Sequence, residues 1–265
     1  MLIVGERINT SRGQIDEAVQ KRDAAFIQTE VRAQMGAGAE IIDVNAGTRA
    51  RYELDDLLWL IDAAQETGPV RLSLDSSNPH CLLEAVERVR DLPMLNSTTA
   101  EKGRFEKMIP VIQKRECDVV ALCLDDRGLP KSADQVIENA ERLVHDLEAI
   151  GVKRERIFLD PMIQAVSTDS RAGLKALEAI ERIRSDFVDV KIICGLSNIS
   201  YALPKRSIIN QTFLALAMRA GLSAALIDPL DKKMMGTLLA TAMLLGQDDY
   251  CLNFIRAFRE GRLGD

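Results

Sequence analysis

Carboxylates and carboxamides recur along this chain at one kind of place, the last residues of short apolar runs. They are Glu6 and Asn9, Asp43 and Asn45, Asp75, Asn96, Asp125, Asp160, Asn198 and Asp228. A carboxylate takes two parallel N–H donors from an amidine-like edge. Taken singly, each of these residues is explained as well by a helix cap or a turn. Taken together, so many acceptors with few cations among them predict a pocket for a ligand rich in N–H donors. Burying that many unpaired carboxylates is costly and does nothing for stability. A fused heterocycle of the pterin kind presents the required edge. A phosphorylated sugar fits less well, because no glycine-rich phosphate cup follows the last two runs.

Other chemistries have little material. His80 and His145 fall in helical segments away from the run ends, so neither a Ser-His-Asp triad nor a two-histidine metal site is expected. Cys81, Cys117, Cys123, Cys194 and Cys251 are odd in number, widely spaced and without a C-x-x-C. That pattern argues against a disulfide framework and a zinc site, and fits a reducing cytoplasm. Net charge is −6, with Lys and Arg scattered, so nucleic acid is not an expected partner. No apolar run approaches the roughly 18 residues of a membrane span. Residues 1–6 carry no basic region or cleavage site that would direct export.

Eight elements must hold these polar ends. The runs begin at Leu2-Ile3-Val4, leading into Gly5-Glu6-Arg7-Ile8-Asn9, and continue at residues 41–47, 70–76, 94–98, 119–125, 157–161, 190–198 and 224–229. Helical segments alternate with them: 14–35, with Asp23 placed to cap a break, then 54–66, whose residues 54, 57, 58, 61 and 64 share an apolar face. Asn78-Pro79 starts the next helix, another covers 101–114, and Ser132 with Gln135 predicts a capping box for a helix reaching Ile150. A helical segment follows Pro204, and a last helix pair occupies 232–259. Runs that are apolar throughout suit parallel strands covered on both faces. Eight βα units in 265 residues predict an α/β fold, one (β/α)8 TIM barrel spanning residues 1–265. A doubly wound open sheet is the alternative, without a G-x-G-x-x-G to support it. Gly36-Ala37-Gly38-Ala39 precedes a strand and reads as a helix terminus.

The barrel gathers all eight run ends at one mouth, and there the motifs resemble a known family. Gly5-Glu6-Arg7-Ile8-Asn9, Asp43-Val44-Asn45, Leu74-Asp75-Ser76, Asn96-Ser97-Thr98, Leu159-Asp160-Pro161, Gly195-Leu196-Ser197-Asn198-Ile199-Ser200 and Ile209-Asn210-Gln211-Thr212-Phe213-Leu214 together resemble the methyltetrahydrofolate:corrinoid methyltransferases. These are similar in turn to the folate-binding domain of cobalamin-dependent methionine synthase. The resemblance runs in order over essentially the whole chain. It implies a pterin-binding barrel that exchanges a methyl group between N5 of tetrahydrofolate and the cobalt of a corrinoid. By motif, Asp75, Asn96 and Asp160 hold the pterin edge. Glu6, Asp43, Asn45 and Ser197 line the same pocket, and Asn198 is the catalytic residue, hydrogen-bonding near N5. A neutral tertiary amine is a poor leaving group, so a donor that strengthens as charge develops on N5 is the chemistry required. No residue stands out in the sequence as a dedicated general acid of matched pKa.

The resemblance also implies tetrahydrofolate or 5-methyltetrahydrofolate as substrate, a corrinoid supplied by a separate corrinoid protein, and a homodimer. Neither histidine sits in the D-x-H-x-x-G pattern of a cobalamin module. Tyr201, Ala202, Lys205 and Arg206 are candidates for corrinoid or folate-tail contact, although solvated surface cations explain Lys205 and Arg206 equally well. Residues 200–204 read Ser-Tyr-Ala-Leu-Pro where acetogenic members carry amides, which leans towards a demethylation pathway running from methyl-Co(III) to tetrahydrofolate. The opposite direction, a dihydropteroate synthase and a non-catalytic folate-binding module are the alternatives. A synthase would carry a T-P-D-S-F-like loop where this chain has Asn9-Thr10-Ser11-Arg12. Residues 238–245 offer an apolar surface for a dimer, or equally an ordinary buried helix.

Overall fold

A computed structural model describes residues 1–264; Asp265, the last residue of the expected domain, lies outside them. Eight parallel strands close into a barrel in sequence order. They are β1 (Leu2–Asn9), β2 (Ile41–Asn45), β3 (Arg71–Asp75), β4 (Met94–Thr99), β5 (Asp118–Leu122), β6 (Ile157–Asp160), β7 (Lys191–Gly195) and β8 (Ala224–Ile227). Around them lie α1 (Gly13–Lys21), α2 (Ala24–Gly36), α3 (Glu53–Gln65), α4 (Pro79–Arg88), α5 (Lys102–Ile112), α6 (Ala133–Ala149), α7 (Ala172–Asp186), α8 (Arg206–Ala220), α9 (Lys232–Leu244) and α10 (Leu252–Arg259).

Local chemistry sets the helix starts. Arg22 takes a left-handed conformation and Asp23 accepts the Phe26 N–H at 3.1 Å, so the long helical segment breaks into α1 and α2. Asn78 accepts the His80 N–H at 3.1 Å ahead of Pro79. Ser132 accepts the Gln135 N–H at 3.3 Å, but the Gln135 side chain returns to the Lys131 N–H rather than to Ser132, one residue off a capping box. Helix α2 ends at Gly36, and Gly38 takes φ +108° in the turn that follows.

Three runs differ most from expectation; the fifth stops as a strand at Leu122, three residues before Asp125. The first is a full strand to Asn9, with a register shift between Gly5 and Ile8. The seventh stops at Gly195, and residues 196–200 form a 3₁₀ turn. Leu196 and Ile199 are both buried three residues apart, a spacing that turns the chain tighter than a strand allows. Asn198 therefore stands on a turn, not on a strand end.

The strands separate two apolar layers by their period of two. Val4, Ile41, Met94, Val120, Phe158, Ile193 and Ala224 form one cluster inside the barrel. Their neighbours, among them Ile3, Ile42, Leu95, Val119, Leu159, Ile192 and Ala225, pack outward against the helices. Below the inner layer Asp118 accepts from Arg71 at 2.6 Å and from Arg156 at 3.2 Å, and the Lys191 ammonium lies 4.7 Å from the Phe158 ring centre. Two residues above the inner layer come Glu6, Asp43, Asn96, Leu122, Asp160, Gly195 and Leu226. The packed layer is thus the floor on which the polar mouth rests.

Phe158 is the largest fully buried side chain of that floor. Phe158→Ala is expected to lower stability by about 3–5 kcal/mol, the usual range for an aromatic core truncation. The shift of the urea unfolding midpoint measures it, and a loss under 1 kcal/mol would mean that the floor collapses to fill the gap.

Candidate active site

The mouth is built from pairs of neighbouring strands. On β2 and its neighbours, Asp43 accepts from the Ser73 hydroxyl at 2.6 Å and from the Asn96 amide at 3.2 Å, both on one carboxylate oxygen. Asn45 donates to Asp75 at 2.7 Å, while its own carbonyl oxygen accepts the Gly47 N–H at 2.9 Å. The register places Asn45 beside Asp75 and Asp75 beside Asn96, so these contacts follow from strand pairing. On β6, Asp160 accepts the Met162 N–H at 2.7 Å, and the Gly195 N–H from β7 also points at it.

Each of these contacts leaves carboxylate oxygen capacity unused, and burial acts on all of them. Desolvation pushes the Asp160 carboxyl up to about 7, against the two backbone N–H groups that favour its charge. Glu6 also rises to about 7 through burial; Arg12 pulls it down, Asp228 pushes it up and Arg206 pulls it down. Asp43 goes well above the usual carboxylate range, through burial and then the Asp75 charge, with Ser73 and Asn96 opposing. Asp75 is raised by burial, opposed by its hydrogen bond from Asn45 and aided by the Glu53 charge. A cluster of raised carboxyls has too little positive charge around it. A ligand bringing N–H donors supplies what is missing.

Three of the polar run ends are consumed by the fold. Asn9 accepts the Ser11 N–H at 2.9 Å in a turn. Asp125 accepts the Arg127 N–H at 2.9 Å and its guanidinium at 2.8 Å. Asp228 accepts from Arg7 at 2.8 Å and Arg12 at 3.4 Å, and caps the Leu230 N–H at 3.0 Å. For these the turn-or-cap explanation holds.

The Asn198 turn is fixed along its backbone. Arg206 donates to the Ser197 carbonyl at 2.7 Å and to the Ser200 hydroxyl at 3.0 Å, and Ser200 donates to the Ser197 carbonyl at 3.2 Å. The half-buried Ser197 contributes its carbonyl here. Arg206 is thus turned towards the turn that carries Asn198. Tyr201 is two-thirds exposed, its carbonyl accepting from Ser167 at 2.7 Å. Ala202 and Lys205 are exposed and take positive φ, shaping the outer loop. Asn198 itself is exposed at the mouth.

Several contributors escaped the sequence reading. Ser73 lies two residues before Asp75, on the same face of its strand, so parity alone flags it. Arg104 donates to the Ser97 carbonyl at 2.8 Å and the Ser76 carbonyl at 3.2 Å, tying two mouth loops together, and the Ser76 hydroxyl bonds the buried Glu53. Nothing local marks either. Among the described residues no group of three or more His, Cys, Asp or Glu is arranged to hold a metal ion, and no helix is long and apolar enough to cross a membrane.

Comparison with known proteins shows the family to which the barrel belongs. The sequence pattern of the pterin binding enzymes matches residues 5–228. The chain belongs to that family. It is 34% identical, over 266 aligned residues, to a methylcorrinoid:tetrahydrofolate methyltransferase of Eubacterium limosum, covering all of this chain and 98% of that protein. It is 29% identical to the methionine synthase of Mycobacterium tuberculosis over 86% of this chain, which spans 20% of that longer protein. Among solved structures it is similar to a dihydropteroate synthase of Xanthomonas albilineans in complex with 7,8-dihydropteroate, with a TM-score of 0.70 at 14% identity and 92% of each chain covered. A dihydropteroate synthase of Coxiella burnetii in complex with pteroic acid gives 0.66 at 16%, again over 92% of each chain. At such identities the shared feature is the barrel.

In this pterin-binding enzyme the carboxyls give a pH signature. Folded Glu6 and Asp160 keep their protons up to about pH 7, whereas unfolded carboxylates release theirs near pH 4. Between those values the folded state holds more protons, so the contribution of these groups to stability is full at low pH and is lost as pH rises through 7. The unliganded protein is expected to melt at a higher temperature at pH 6 than at pH 8, and Asp160→Asn to flatten that difference. Equal pH dependence in wild type and variant would show that Asp160 is ionised throughout.

Proposed function

We propose that this protein is a methyltransferase that moves a methyl group between N5 of tetrahydrofolate and the cobalt of a corrinoid carried by a separate protein. It runs from methyl-Co(III) corrinoid to tetrahydrofolate, as in a demethylation pathway. The observation that carries this is the mouth itself: Asp75 and Asp160 at the ends of β3 and β6 and Asn96 within β4, with Asn198 on a fixed turn beside them. The full-length likeness to a methylcorrinoid:tetrahydrofolate methyltransferase supports the same reaction.

The carboxylates of Asp75 and Asp160 accept N–H donors of the pterin edge, and Asn96, held by Asp43, keeps a carbonyl oxygen for the ring. The floor at Phe158 and Val120 keeps water from below. In the proposed direction the N5 lone pair attacks the methyl carbon, and an N–C bond forms. The cobalt–carbon bond breaks with its electron pair left on cobalt, and the N5 proton is released. Glu6 and Asp160 titrate near neutrality, so the mouth holds acceptors for that proton. In the reverse sense the same groups hold a proton for the departing amine. Asn198 stabilises the charge that develops on N5 without carrying charge itself. Tyr201, Ala202 and Lys205 face outward beside the mouth, where the corrinoid protein or the folate tail would meet them. In this scheme residues 1–265 form one domain working in the cytoplasm. Two copies pair as a homodimer, for which the exposed Leu244, Tyr250, Leu252 and Phe258 supply apolar surface.

Anaerobic mixing of the protein with methylcobalamin and tetrahydrofolate tests this, with the cobalt spectrum as readout, alongside cob(I)alamin with 5-methyltetrahydrofolate. Cobalt should change state in both. Asn198→Ala is expected to slow transfer by about 10²–10³-fold, the scale of one lost transition-state donor. Asp160→Asn should weaken pterin binding by about 1.5–3 kcal/mol, the scale of a hydrogen bond to a charged acceptor. Pterin binding without any methyl transfer, to free or protein-bound corrinoid, would point to a binding module. Absence of pterin binding would sink the assignment.

A further inference from the structure

Strand β7 turns Lys191, Ile193 and Gly195 towards the barrel interior. In the upper layer, where β6 contributes Asp160 and β8 contributes Leu226, β7 contributes no side chain. A Cβ at Gly195 would meet the Asn198 amide nitrogen at 3.3 Å and its Cγ at 3.8 Å. The backbone gives no other reason for glycine: φ −73° and ψ 92° suit any residue. The space beside Gly195 is occupied by the Asn198 carboxamide, over the peptide whose N–H points at Asp160.

The turn below that carboxamide has little freedom. Arg206 holds the Ser197 carbonyl and the Ser200 hydroxyl. Val166 donates to the Ile199 carbonyl at 3.0 Å, and Leu196 and Ile199 are buried. No side-chain hydrogen bond among the described residues holds the Asn198 carboxamide. What remains to it is rotation about its own side-chain bonds, and it lies against Gly195.

We propose that Gly195 is a positioning residue for methyl transfer: its missing Cβ keeps open the recess from which the Asn198 carboxamide reaches N5. The inference rests on the role given to Asn198 above. Bulk at position 195 pushes the amide outward while the backbone N–H to Asp160 stays in place. Gly195 therefore acts on the chemical step through Asn198, not on capture of the pterin.

Gly195→Ala and Gly195→Val test this in the full-length protein, with pterin affinity measured by calorimetry and single-turnover methyl transfer at saturating folate. A displacement of a few tenths of an ångström in Gly195→Ala is expected to slow transfer by about 3–10-fold, and full occupation of the recess in Gly195→Val by about 10²-fold. The pterin dissociation constant stays within about threefold in both. In an Asn198→Ala background the further cost of either substitution should vanish, because both act on one group. Weakened pterin binding with an unchanged saturated rate would overturn the proposal and make Gly195 part of the pterin wall. Additive losses in the double variant would overturn it equally. The alanine variant carries the test if the valine variant does not fold. A wild-type protein that binds pterin without turnover removes the role of Asn198, and the inference with it.

Discussion

A closed parallel barrel allows each strand residue only two directions, into the lumen or out to the helices, and this constraint arranges everything else here. Because the choice alternates, seven strands that put an apolar residue into the floor put the residue two positions later into the mouth. Where that residue is acidic, it lands among other carboxylates in a region water reaches poorly. The floor and the mouth are consequences of one pattern, and neither exists without the other.

Burial then gives the mouth its chemistry. Taken out of water, with only Arg12 and Arg206 opposing at Glu6, the carboxyls of Glu6, Asp43, Asp75 and Asp160 are all raised by burial above the ordinary carboxylate range. Carboxyls so placed suit a ligand rich in N–H donors. Of these, Glu6 and Asp160 are raised to about 7, where a carboxyl can take up or return a proton near neutral pH. In the proposed function, binding and proton handling thus share one physical cause. Sensitivity to burial also explains the Arg71–Asp118–Arg156 group at the opposite end, where an acid paired with arginines sits without strain on the fold.

The eight βα units, the Asp23 break and the Asn78 cap were legible because each rests on residues within a few positions of one another. The polar residues Asp75, Asn96 and Asp160 were legible for the same reason, since each follows directly on an apolar stretch of its own strand. The reading went wrong or fell short where partners are distant. Asp228 looks like any other acidic run end, yet it is consumed by Arg7, 221 positions away. Arg206 reads as a surface cation for a partner, yet two of its donors face the Asn198 turn. The end of β7 at Gly195 was missed because Ile192-Ile193-Cys194 runs smoothly into a polar stretch. Only the joint burial of Leu196 and Ile199 shows where the strand stops.

The sequence by itself determined the barrel, the face on which each strand residue lies and the class of ligand its polar ends suit, since all three follow from a local period of two and the residue types that fill it. Only the tertiary structure decided which carboxylates remain free for a ligand, how far each is pushed from its ordinary acidity and where the Asn198 amide rests. Those depend on ion pairing, desolvation and contact between groups far apart in the chain, and such terms exist only once the barrel has closed.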